Sequence, residues 1–212
     1  MKKLKLSTIL WLLYGVVSVL ALYVWGEQLS WDFGNLNAYN IFPLFGLLAF
    51  SLMWVHYVSG YIRDKWFSGE STKRSFEITA WIVLALIILH PVLLIGQLNN
   101  DGYGLPPDSY KAYVGQANVI WVMIGTLGFS GLLLFELKRW FGKKPWWKYM
   151  SVVNDVAVLF IAIHSVQLGR HLQTGWYRYV WWFYIVTIIA CIYRLYFQKF
   201  KQLQARIPKH LV

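Results

Sequence analysis

Six stretches of the chain are almost continuously apolar, at about 7–25, 41–62, 76–97, 117–137, 152–170 and 179–197. Each is close to the ~20 residues that an α-helix needs to cross ~30 Å of hydrocarbon. The pattern predicts an all-α, polytopic membrane protein: one domain over 1–212, folded as a six-helix transmembrane bundle. The first run follows Met1-Lys2-Lys3-Leu4-Lys5 and so has the start of a signal peptide. No small-residue cleavage site comes after it, since the chain continues Val24-Trp25-Gly26-Glu27, so a retained anchor helix is expected. The longest connection, about 98–115, holds Asn99, Asn100, Asp101, Gly102, Gly104, Pro106 and Pro107, which is turn chemistry. No internal repeat and no appended soluble domain is evident.

Composition agrees with the pattern. Of 212 residues, 58% are apolar and only 14% charged, whereas a soluble domain runs near half apolar and a quarter charged. The net charge of +11 raises the question of nucleic acid, and the positions of the charges answer it. Seventeen of the twenty Lys and Arg fall before the first run, between runs two and three, between runs four and five, or at the C-terminal end from Arg194 onward. Lys111, Arg170 and Arg178 alone lie on the other side. This asymmetry places both termini in the cytoplasm of a multi-pass protein of the cell inner (plasma) membrane. The basic loops then face anionic lipid, and no nucleic acid partner is needed. Trp25, Trp31, Trp66, Trp146, Trp147, Trp176, Tyr177, Trp181 and Trp182 cluster near run ends, as an interfacial aromatic belt does. The single Cys191 excludes an intramolecular disulfide framework and a Cys-cluster metal site.

Ionisable residues inside apolar spans are costly and usually functional. The chain offers His56 in run two, Glu77 at the start of run three, His90 in run three, Asp155 in run five, and His164 with His171 at the end of run five. The fifth histidine, His210, falls in the basic tail. Glu77 sits in a first turn, where the helix dipole favours an acid. Asp155, beside Asn154, lies one turn from the inner boundary, as a helix-start or packing residue would. Runs three and five both start inside. His90 is then roughly 22 Å from Ser75 and His164 roughly 20 Å from Ser151, at 1.5 Å per residue. The two imidazoles share a depth in the outer half, and His56 lies in the inner half. His171, about 10 Å beyond His164, is two turns on and shares its helix face.

Two histidines at one depth on two helices meet the requirement of a six-coordinate haem b, whose iron takes an imidazole on each face. The alternative for each is a hydrogen-bonded core histidine. His164 and His171 cannot ligate one iron from opposite faces, which leaves His171 for a second site, a propionate or a substrate. His56 reads as structural, or as a proton or quinone contact.

The chain also resembles the ferric-reductase-like transmembrane domain superfamily. Within it the likeness is to the haem-binding membrane subunits that serve the periplasmic methionine sulfoxide reductase. Helix count and length agree over nearly the whole chain. Lys73-Arg74 leads an apolar run into Ile88-Leu89-His90, and Phe141-Gly142-Lys143-Lys144-Pro145-Trp146 leads through run five to Ile163-His164. The resemblance implies that His90 and His164 are haem b ligands. It also marks a departure. Where the family has a further histidine thirteen residues before the one matched by His164, this chain has Ser151; the inner position of run three is Phe76 or Glu77. A one-haem version, with the haem in the outer half, is expected.

The expected function is a b-type cytochrome subunit that passes electrons to an acceptor on the external face: a metal chelate, a reductase partner or oxygen. No Gly-rich dinucleotide loop occurs, so electrons are expected from a quinol, from a bound flavin, or from a cytoplasmic flavin reductase. Gln167, Arg170, His171 and Arg178 could hold propionates or a ferric chelate; Arg170 and His171 are the leading pair, since Arg meets carboxylates bidentately. The competing reading is a non-redox transporter or assembly factor whose intramembrane His and Asp handle protons or substrate. Against it stands the lack of a repeated half. A membrane hydrolase lacks its motifs, neither H-E-x-x-H nor G-x-S-x-G being present.

Overall fold

The computed structural model describes residues 5–141 and 149–205. Lys2 and Lys3, the segment Gly142–Lys148 with its basic and tryptophan residues, and Arg206, Lys209 and His210 lie outside the described residues, as do the side chains of Lys138, Arg139 and Phe141. The chain runs α1 (Leu6–Gln28), α2 (Ala38–Trp66), α3 (Lys73–Asn100), α4 (Asp108–Val114), a short 3-10 turn (Gln116–Asn118), α5 (Val119–Phe141), α6 (Met150–Leu168), α7 (Arg170–Gln173) and α8 (Tyr177–Ala205). Six of these are long and apolar enough to cross a membrane, and no strand occurs among the described residues. The protein is an all-α six-span bundle. The ends of α2 and α3 that carry Arg63, Lys65, Lys73 and Arg74 define a basic side; Asp101, α4 and α7 lie at the far side.

α2 and α3 overrun their apolar runs by about a turn at each end, because interfacial polar residues continue the helix. Asn37 caps α2 by accepting from the Asn40 N–H at 3.1 Å, which starts the helix three residues before Ile41. α6 differs. It stops at Leu168 rather than at 170, with Gly169 closing it through an N–H bond to the Ser165 carbonyl at 2.7 Å. A side chain at Gly169 would collide with that carbonyl. His171 therefore belongs to the separate turn α7 and does not share a helix face with His164, contrary to the sequence expectation. The far-side connection also carries a two-turn helix, α4, which follows Pro106-Pro107.

Packing is uneven. α5 and α6 form the tightest pair. Gly125, Gly128 and Gly131 recur every three residues along α5, and a Cβ at Gly128 or Gly131 would stand 2.9 Å from the Ala157 carbonyl oxygen or 2.8 Å from the Ala157 Cβ. Small residues let two backbones approach in this way where hydrophobicity alone cannot drive association. α2 packs on α1, α3 and α8. Between these bodies the joints are slight and run through α4, α7 and α8; neither α3–α5 nor α3–α6 is a closely packed pair among the described residues. Buried indoles on α2 and α8 find acceptors: Trp54 Nε1–H donates to Thr187 Oγ1 at 2.6 Å and Trp181 Nε1–H to Ser165 Oγ at 2.9 Å. Large apolar residues such as Leu12, Val19, Trp81, Val92, Leu127 and Val186 point outward. So much exposed apolar surface is a lipid face.

Asp155 holds three helices together. It is buried, its Oδ1 accepts from Tyr57 Oη–H of α2 at 2.8 Å, and its Oδ2 accepts from Tyr196 Oη–H of α8 at 2.8 Å. Asn154 Nδ2 donates to the same Tyr57 oxygen at 3.1 Å. A carboxylate removed from water needs such donors, so Asp155 is a packing tie. α3 starts at Lys73, so Glu77 falls in its second turn rather than its first; it is exposed there and lies 3.9 Å from Lys73 Nζ.

Candidate functional site

His90 and His164 are each held by a backbone carbonyl of a neighbouring helix. His90 Nδ1–H donates to the Phe42 carbonyl near the far-side end of α2 at 2.7 Å. His164 Nδ1–H donates to the Trp121 carbonyl in the first turn of α5 at 2.9 Å. A carbonyl oxygen only accepts, so in both rings the proton sits on Nδ1. Nε2 then carries the lone pair, and it has no hydrogen-bond partner among the described residues. Phe42 and Trp121 both lie close to helix starts on the far side, so the imidazoles occupy one layer, as the depth estimate expects. They are also electrostatic neighbours.

His56 is built the other way. Its Nε2 lies 2.7 Å from Thr79 Oγ1. That hydroxyl spends its proton on the Ser75 carbonyl at 2.8 Å, so it accepts from His56, and Nε2 carries the hydrogen. The ring also packs on Phe76 at 4.5 Å and against the edge of Tyr14 at 5.9 Å. It is fixed in the basic-side half, away from the paired layer.

Around the pair, the Phe42 ring lies 5.2 Å from His90 and 6.2 Å from Tyr113, and Tyr113 stacks on Tyr39 at 5.5 Å. Arg170 is exposed, is close enough to Tyr113 to oppose the upward push of burial on its phenol, and has no ion-pair or hydrogen-bond partner among the described residues. It is a guanidinium at the rim of the paired layer. His171 is buried in α7, which packs on α8 and α1. Burial, and secondarily the charge of Arg170, hold its pKa down at about 4 from an ordinary 6.5. The unfolded chain therefore binds a proton that the folded chain refuses across that interval. Stability should decline as pH falls from about 6.5 toward about 4 and level off below, a loss on the order of 3 kcal/mol at most. Thermal unfolding across that range should show the decline in the wild type and a flatter profile in His171→Phe.

Toward the basic side lies a cleft of about 280 Å³ between α2–α3 and α5–α6. Its walls include Ala80, Val83 and Ile87 on one hand and Leu132 and Val158 on the other, and its polar groups are His56, Tyr57, Glu136, Ser151, Asn154 and Asp155. From Phe76 to Ile87 it extends roughly 16 Å along α3 and ends one turn short of His90. Phe76 and Ser151 also line it. The sequence pattern does not set Glu136 apart. It stands two residues before Lys138-Arg139 at a span end, where it reads as one more interfacial charge; the signal was an acid within the run Leu132-Leu133-Leu134-Phe135-Glu136-Leu137.

Among the described residues no group of three or more His, Cys, Asp or Glu is arranged to hold a metal. The Nε2 atoms of His90 and His164 could each serve as a ligand to a metal or to the iron of a prosthetic group. No protein-family model, curated protein or solved structure matches the chain.

Proposed function

We propose that the protein is a b-type cytochrome membrane subunit that carries electrons from a quinol on the cytoplasmic side to an acceptor on the external face of the cell inner membrane. The observation that supports this reading is the pair His90 and His164, in one layer of two separate helices. Each is locked by a carbonyl into the tautomer that offers Nε2. Haem b held there would supply one-electron chemistry. The chain's own residues fix the imidazoles, pack the Phe42 ring beside His90, and offer Arg170 to a propionate. His171, one residue on, is the second candidate at that rim.

The cleft favours a quinol over a bound flavin as donor. Its lining has two carboxylates and no Lys or Arg among the described residues, which suits a neutral ring with hydrogen-bonding oxygens and opposes a flavin phosphate. A ring in the cleft would reach within one helical turn of His90. The acceptor is a metal chelate, a reductase partner or oxygen. The relation to the ferric-reductase-like superfamily and to the methionine sulfoxide reductase subunits is part of this proposal.

A reduced-minus-oxidised spectrum of the purified full-length chain, with a haem-to-protein ratio, tests the reading. One b-type haem per chain is the expected result. A colourless preparation from iron-replete cells, together with solute uptake in vesicles, would replace it with the transporter reading.

A further inference from the structure

The two halves of the paired layer are built alike. Gly46 of α2 comes four residues after Phe42, and Gly125 of α5 comes four residues after Trp121. A Cβ at Gly46 would stand 3.0 Å from His90 Cε1 and 3.1 Å from its Nδ1. A Cβ at Gly125 would overlap His164 Nδ1 and stand 2.7 Å from Cγ and 2.8 Å from Cε1. In both cases the carbonyl that binds the ring is the one four residues before the glycine. That carbonyl already accepts the glycine's own N–H in the helix, and it has a second lone pair to give. A side chain at the glycine position would stand in the space that the ring occupies on its way to that lone pair. Both glycines lie within helices, where glycine costs about 0.5–1 kcal/mol relative to alanine, so backbone freedom does not explain them.

We propose that Phe42–Gly46 and Trp121–Gly125 are two copies of one positioning device. In each copy the glycine opens a carbonyl, and the carbonyl fixes the histidine as its Nδ1–H tautomer with Nε2 turned away from the helix. Both ligand atoms are thereby set before any metal arrives. A carbonyl on the far nitrogen also makes a ligating imidazole a stronger electron donor, so the device holds the oxidised metal more tightly than a free imidazole pair would. The copies are unequal. The closer approach at Gly125 makes it the stricter position. The meaning for function rests on the haem reading; the geometry rests on the hydrogen bonds alone.

The test uses the full-length chain in nanodiscs, with and without haemin. Nitrogen NMR of histidine-labelled, haem-free protein at neutral pH should show His90 and His164 protonated on Nδ1 and His56 on Nε2. Gly46→Ala should weaken haemin binding about tenfold and Gly125→Ala roughly a hundredfold, the range for groups that orient metal ligands. Loaded Gly46→Ala protein should have a raised midpoint potential. Gly15→Ala and Gly60→Ala, at helix positions where a Cβ meets nothing within 4 Å, should match the wild type. If Gly125→Ala does not fold, the NMR assignment and Gly46→Ala decide. The proposal is overturned if His90 or His164 is protonated on Nε2 in the haem-free chain, or if Gly46→Ala binds haemin as Gly60→Ala does. A wild type that takes up no haemin would remove the haem reading and leave the tautomer result to judge the device.

Discussion

His90→Ala and His164→Ala are each expected to abolish the low-spin b-type spectrum, while His56→Ala should keep a full haem complement. Each is a histidine inside an apolar run; depth along the run sets His56 apart in the sequence, and the hydrogen bonds separate the three further. His90 and His164 give Nδ1–H to carbonyls at 2.7 and 2.9 Å, which leaves the ligating nitrogen available. His56 gives Nε2–H to Thr79 at 2.7 Å, and to serve as a ligand it would have to break that bond and change tautomer. Removing either ligand of the proposed haem would leave its iron with one protein bond, and a bis-imidazole centre would not survive that loss. Optical spectra and haem content of the three variants at matched protein concentration make the comparison. Retention of a normal spectrum in His164→Ala would end the haem assignment to this pair.

Asp155→Ala should produce the largest loss of stability among single polar substitutions, about 2–4 kcal/mol. The carboxylate accepts from two phenols on two other helices, both at 2.8 Å. Truncation leaves the Tyr57 proton with no acceptor inside the bundle; Tyr196 is nearer the surface and loses less. Asp155→Asn keeps one carbonyl oxygen and should lose about half as much. Asp155→Leu restores volume and not the acceptor, and should resemble the alanine variant. Thermal unfolding in detergent, followed by helical signal, orders the three. An alanine variant as stable as the wild type would show that the three-helix tie contributes nothing.

The spans were legible because ~20 consecutive apolar residues have few other uses. Their ends were less so. Ala38-Tyr39-Asn40 looks like loop by hydropathy, yet it is helical because Asn37 caps it. Gly169 looks like one more small residue in a span, yet it closes α6 and puts His171 on a different element from His164. In the paired layer the histidines announced themselves as ionisable groups among apolar ones. Their partners did not, since a backbone carbonyl has no letter of its own and Gly46 and Gly125 look like ordinary small residues until the facing helix is known. Asp155 was visible, but its role depends on Tyr57, 98 residues earlier, and Tyr196, 41 residues later, and spacing along the chain does not disclose such a tie.

The close α5–α6 seam, set against the thin joints elsewhere, has a bearing on biogenesis. A hairpin that zips along three glycines can form as soon as its two segments leave the insertion machinery, ahead of any docking to its neighbours. The four remaining long helices would assemble around α2 as a separate body. Whatever spans from His90 to His164 would then act as the late stitch between two pre-formed pieces, and maturation would wait on its supply.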